Sequence, residues 1–257
     1  MHVTITGLFK DYRRNMPATF KNYRQQYDSS VNLVGCLHSG LPNFELYTLR
    51  SFVELSYQDD LTVYPFPALT KEALLDLDAF LALIKSMGFK GCKLHPRLLG
   101  STFSAPQLMN IYKCFNEQGL CLMLCTLCLG EGMTNIHHLN YLKFLEKTAG
   151  LNDRRSRIIL AHGGASWFMD YYEFAQYVDY VLLDLSFTLV RYSAVYLDQF
   201  LYAISKNRKC LAFGTDWPDY TLAECLKPLH PILNDRLMSD AVRSYLADNA
   251  LEFLSKI

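Results

Sequence analysis

The chain reads as an α/β protein, a closed (β/α)8 TIM barrel, on three observations. Eight short apolar runs rich in β-formers are spaced along it, and longer segments between them carry apolar residues every three or four positions. The third is length: 257 residues suit one barrel, since such barrels run to about 250 residues as a unit. Residues 1–257 are therefore expected to form a single barrel domain, and no linker, low-complexity tract or repeat argues for a second.

The expected strands are residues 2–6, 33–37, 62–66, 89–94, 121–125, 157–161, 181–185 and 210–214. Between the third and fourth, Leu74, Leu77, Leu81 and Ile84 make one helical stripe that Gly88 caps. Ser104 precedes a helix to about Gly119, residues 137–149 form another, and Val242, Tyr245, Leu246 and Leu254 mark a closing helix. The crossover at 40–61 is the least regular. An open doubly wound sheet is the alternative, but it usually carries a glycine-rich phosphate turn, and neither GxGxxG nor GxxxxGK occurs.

Lys plus Arg equals Asp plus Glu at 25 each, so no global field draws the protein to nucleic acid or an anionic membrane. No window approaches the roughly 18 apolar residues of a membrane span, and no leader pattern opens the chain, so a cytoplasmic location is expected. Most of the eight cysteines lie in apolar runs such as LCLMLC, where a reduced thiol packs as a small hydrophobe.

In a barrel the polar residues that end apolar strands face the active-site mouth. His2 and Thr4 alternate on the first strand; Lys93 and His95 close the fourth in GCKLHP; Cys125 and Thr126 close the fifth. His162 closes the sixth in IILAHGG, Asp184 and Ser186 the seventh, and Asp216 the eighth in AFGTDWP. Strand alternation is read as allowing only one of Lys93 and His95 to lead inward. His137 and His138 open a helix and are read as solvated, His38 and His230 are placed in loops or turns with no partner identified, and Tyr171, Tyr172 and Phe174 are read as packing.

GCKLHP, LAHGG, FGTDWP and the terminal DNALEFL resemble, in order and spacing, the successive signatures of the amidohydrolase-related family, the branch with small decarboxylases and hydrolases. That resemblance implies one divalent metal activating water or polarising a substrate oxygen. It also implies a His-x-His on the first strand, a His ending the fifth, a His ending the sixth and an Asp ending the eighth. His162 and Asp216 match, whereas Thr4 replaces the second first-strand His and Cys125 stands for the fifth-strand His.

These residues lead to a small-molecule hydrolase or decarboxylase with Asp216 and His162 catalytic, and with Lys93, His95 or Arg97 binding a substrate carboxylate. His2, Cys125 and Asp216 with a water would make a tetrahedral open metal site, for which thiolate favours zinc. Counting ligands nevertheless predicts weak binding, with an empty or substoichiometric site. Two other readings stay open: a barrel that has lost catalysis and keeps a binding or scaffold role, and a redox dithiol through Cys125 and Cys128. Neither the substrate nor the oligomeric state is legible.

Overall fold

A computed structural model describes residues 61–99, 103, 105–127, 156–206, 208–217, 219–233 and 238–257, with backbone pieces at 2–4, 10–11, 16–17, 25, 35–39 and 57–58. Among these, eight strands run parallel: β1 (His2–Thr4), β2 (Gly35–Ser39), β3 (Leu61–Phe66), β4 (Gly91–Leu94), β5 (Cys121–Cys125), β6 (Ile158–Ala161), β7 (Val181–Asp184) and β8 (Leu211–Ala212). Each overlaps one of the expected runs. β1, β2 and β3 form one ladder in chain order, and β4 to β8 form another.

A parallel bridge from Ala68 to Lys93 joins the two ladders. It is held by Lys93 N–H donating to the Pro67 carbonyl and Leu69 N–H donating to the Lys93 carbonyl, both at 2.8 Å. Sequential parallel order with helical crossovers is the (β/α)8 arrangement. Tyr57–Gln58, within the irregular crossover, adds antiparallel to β3. The expected helix at 137–149 lies outside the described residues.

Side chains alternate across each strand, and the two faces meet different layers. Phe66, Cys121, Met123, Ile159, Ala161, Leu182 and Ala212 fill the barrel interior, plugged by Phe253 and Leu254. Cys92, Leu94, Leu122, Leu124, Ile158, Leu160, Val181 and Leu183 face outward into the helical layer. Gly91 belongs to the inner row, where a Cβ would overlap the Cys121 carbonyl oxygen and the Phe66 ring.

The stripe at 74–84 is two helices, not one: α1 (Lys71–Leu75) and α2 (Leu77–Ser86). Asp76 breaks it, because its side chain accepts from Ala79 N–H and caps a fresh helix. Leu77, Leu81 and Ile84 remain the buried face, and Gly88 ends the second helix at φ +87. α3 (Ala105–Gln118) follows as expected and precedes Gly119.

α4 (Phe168–Ala175) buries Tyr171, Tyr172 and Phe174, in agreement with a packing role. α5 (Thr188–Lys206) leads toward β8, whose expected first residue, Cys210, instead closes a 3-10 turn, Arg208–Cys210. The C-terminal stripe is likewise interrupted, by a π-turn over Ser244–Asp248 before α6 (Asn249–Ser255). Tyr245 is buried in that turn, and the Asn249 amide donates to the Leu211 carbonyl at 2.8 Å. The DNALEFL segment thus ties the last helix to β8 and plugs the barrel floor. No helix among the described residues is long and apolar enough to cross a membrane.

Candidate active site

The inner row changes character from bottom to top. Apolar Cys121, Ile159 and Leu182 give way at the carboxyl ends to Lys93, His95, Cys125, His162 and Asp184, all buried. Ladder register explains the grouping: Cys125 and Asp184 are both partnered with Ala161, on either side of β6. Polar groups so enclosed must satisfy one another.

Three consecutive strand ends finish in the left-handed backbone region, at His162 (φ 68), Phe187 (φ 66) and Asp216 (φ 52). Such conformations are costly for residues with a side chain and persist where the surroundings hold them. Here the clamps are visible. Thr188 Oγ1 donates to the His162 carbonyl at 2.6 Å. Gly164 N–H donates at 2.8 Å to Thr126 Oγ1, which itself donates to the Ala161 carbonyl at 2.6 Å. Gly164 stands at φ 84 against the Tyr171 ring, which a Cβ there would overlap.

The His162 ring is fixed in turn. Its Nδ1 lies 3.1 Å from the Ser186 carbonyl oxygen, which can only accept, so Nδ1 carries a proton and Nε2 is the nitrogen that gains or loses one. Phe187 packs its edge against the ring at 5.7 Å. Ser186 is itself held, its hydroxyl donating to Asp184 Oδ2 at 2.6 Å and its N–H to Asp184 Oδ1 at 3.1 Å. A carboxylate oxygen of Asp216 stands 4.0 Å from His162 Nδ1, and its side chain is 13% exposed against 3% for His162. Asp216 therefore marks the open side of the group.

Charge follows from this packing. Burial opposes protonation of His162, but Asp216 and then Cys125 outweigh it and raise the imidazole to about 9, with Lys93 acting in the opposite sense. Burial likewise works to raise the Cys125 thiol, yet the charges of His95 and His162 and hydrogen bonds from both hold it well below its ordinary value. Cys121 and Cys210 lack such neighbours and are pushed up, Cys210 to about 12. The six described cysteines, Cys92, Cys114, Cys121, Cys125, Cys210 and Cys225, are free thiols.

The structure thus brings together His162, Asp216, Cys125, Lys93 and His95. The alternation argument that admitted only one of Lys93 and His95 is corrected: residues two apart share a face, and Lys93 acts on His162 while His95 bonds Cys125. Arg97 is exposed on the short helix Pro96–Leu99 and does not join the buried group. The backbone of His2 lies in β1, while its side chain and Cys128 fall outside what is described. Ser186, Asp184, Thr126 and Thr188 position His162. The first three stood out in sequence as polar strand ends, but only the fold gives their role; Thr188 carried no signal, since its hydroxyl acts on a carbonyl 26 residues away.

A metal ion would need free lone pairs on these donors. Cys125 is engaged by two imidazoles, and the Lys93 ammonium acts on His162, a charge that would repel a divalent cation. Among the described residues no three His, Cys, Asp or Glu side chains gather as a metal site. Of the expected set of His2, Cys125 and Asp216, the last two lie in this group and would be the ion's donors, while the His2 side chain falls outside what is described.

A family model described as Amidohydrolase matches residues 66–256. Among curated protein sequences none matches. Several solved structures share the fold. An uncharacterised TIM-barrel protein from Bordetella bronchiseptica superposes with a TM-score of 0.70 at 16% identity, over 87% of this chain and 78% of that one. A probable 2-pyrone-4,6-dicarboxylic acid hydrolase from Acinetobacter baumannii gives 0.59 at 15% identity, over 99% and 98%. A 5-carboxyvanillate decarboxylase from Novosphingobium aromaticivorans, complexed with manganese, gives 0.64 at 10% identity, over 95% and 82%.

Proposed function

The chain belongs to the amidohydrolase family, and on that premise we propose that it hydrolyses or decarboxylates a small carboxylate-bearing molecule at the carboxyl ends of its barrel strands. The observation that carries this reading is the His162–Asp216 pair, 4.0 Å apart beside buried Lys93 and His95. A carboxylate facing an imidazole whose Nδ1 proton is fixed, so that Nε2 is the nitrogen that exchanges one, is an acid–base device. Asp216, on the open side, accepts or shuttles the proton, and His162 polarises or orients the substrate.

Lys93 supplies the complementary charge. An ammonium in a dry, low-dielectric setting attracts a substrate carboxylate far more strongly than it would in water, and His95 lies at the same strand end to orient it. The hydrolase and the decarboxylase that share this fold act, by their names, on carboxylate-bearing molecules, which supports the same substrate class.

The test is turnover of a panel of small aromatic carboxylic acids, dicarboxylic acids and lactones, followed as acid or carbon dioxide release, by the wild type and Asp216→Asn. Activity that disappears in a folded Asp216→Asn supports the reading. Full activity in that variant would remove Asp216 as base or shuttle.

A further inference from the structure

We propose that the amino-terminal face of the barrel carries a second binding site, a cavity that takes a small phosphate monoester with an apolar or aromatic body. It lies at the end opposite the acid–base pair, since Arg157 precedes β6 and His162 follows it, and it does not depend on the function proposed above. The cavity measures about 330 Å³, within the roughly 300 to 1,000 Å³ of small-molecule sites. Arg157 just before β6, Lys209 in the turn before β8 and Lys256 just after α6 line it, against the carboxylates of Asp179 and Glu252.

Arg157 is the anchor. Its guanidinium lies over the Phe253 ring at 5.0 Å, and Nη1 donates to the Asp179 carbonyl at 2.9 Å. A fork held this way is ordered before any ligand arrives, and that bond uses one of its five N–H groups, leaving others to turn to an anion. The three cations already converge on one carboxylate. Lys256 pairs with Glu252 at 2.6 Å, and the hydrogen bond and charge of Lys256, then the charges of Lys209 and Arg157, hold that carboxyl below its ordinary value. An exposed pair one helical turn apart contributes little, so a ligand dianion displaces Glu252 at small cost.

The number and direction of the donors select the anion. A carboxylate offers two oxygens in one plane and a single charge. A phosphate monoester offers three terminal oxygens and roughly two charges at neutral pH, which cations on three separate elements can share. Val178, Val181 and the Phe253 ring line the rest of the cavity and receive an apolar ester group. Tyr177, 80% exposed, stands at the rim, where its ring can cover that group.

Phenyl phosphate is the probe, titrated calorimetrically into the full chain, with benzoate as the carboxylate of matching body. The expected result is a saturable site that prefers phenyl phosphate and weakens as salt rises. Arg157→Gln should reduce affinity about tenfold or more. Lys209→Gln, at an exposed position, should reduce it about three- to fivefold, and Glu252→Gln should raise it by a similar factor, because the competing carboxylate is gone. No saturable binding, equal affinity for benzoate, or weaker binding by Glu252→Gln overturns the site. So does binding indifferent to both Lys209 and Glu252, which would put the probe elsewhere, as at the carboxyl ends of the strands. Thermal melting checks each variant, and if Arg157→Gln does not fold, the two exposed substitutions still decide.

Discussion

His162 Nδ1 lies 4.0 Å from a carboxylate oxygen of Asp216, and both residues hold left-handed backbone where they leave β6 and β8. The pair is therefore set by main chain as well as by side chain. Asn is among the residues that tolerate this region best, so Asp216→Asn should keep the backbone and lose only the stability its charge gives the His162 imidazolium, while activity falls by about 10²- to 10⁴-fold. Asp216→Val, which is β-branched, should in addition lose about 1 to 2 kcal/mol of stability. Rates and thermal melting on both variants separate charge from conformation. Equal melting of Val and Asn variants would show that the left-handed backbone there carries no strain.

Ser186 reaches His162 through its carbonyl and Asp184 through its hydroxyl. These roles can be divided. Ser186→Ala keeps the carbonyl and removes the 2.6 Å donor from a buried carboxylate, which should cost about 1 to 3 kcal/mol in denaturant unfolding. Activity should be largely kept. Loss of activity with unchanged stability would mean that the hydroxyl, not the carbonyl, orients the imidazole.

How far the sequence anticipates this site depends on the distance over which each contact acts. Apolar runs that end in a polar residue locate β4 to β8, because burial on both faces of a parallel strand leaves few other patterns. Lys93, His95, Cys125, His162 and Asp216 are therefore legible as strand ends. Their meeting is not, since Cys125 and Asp184 are partnered with Ala161 only through ladder register. Lys93 and His95 stand two apart and share a face, because the intervening Leu94 faces the outer layer. Helix ends are less legible, because the Asp76 cap and the π-turn at Ser244–Asp248 break stripes that look continuous by period alone.

Gly164 gives a coupling test. Its φ of 84 and the Tyr171 ring both exclude a side chain, so Gly164→Ala should destabilise by about 2 kcal/mol or more. Trimming the ring in a Gly164→Ala, Tyr171→Leu double variant should relieve the overlap but not the backbone cost. A double-mutant cycle from denaturant melts reads the difference. Strictly additive losses would show that the ring does not confine this turn.

Metal content follows from the donor chemistry. With Cys125 bonded to two imidazoles and Lys93 charged nearby, protein purified without chelator should carry zinc well below one ion per chain, and chelation should leave its melting temperature unchanged. Elemental analysis checks this. One tightly held zinc per chain, lost in Cys125→Ser, would restore a metal-dependent site.

The pH dependence of stability tests the Cys125–His162 pair, because folding shifts the two groups in opposite directions. His162 is raised from 6.5 to about 9 on folding, so its contribution is complete below 6.5 and declines as pH rises toward 9. Cys125 is lowered from 9.0, so its contribution is complete above 9.0 and declines as pH falls toward its folded value. Between 6.5 and 9.0 the imidazole's contribution falls as pH rises while the thiol's contribution grows, so the two slopes oppose one another. The pair therefore changes stability with pH less than either group would alone. Cys125→Ser removes the opposing slope together with the thiol's share in raising His162 and leaves the part that Asp216 sustains, so the variant should lose stability relative to wild type as pH rises above 6.5. Melting of both proteins from pH 5 to 9.5 measures the difference. Parallel curves across the range would show that Cys125 and His162 do not share a proton.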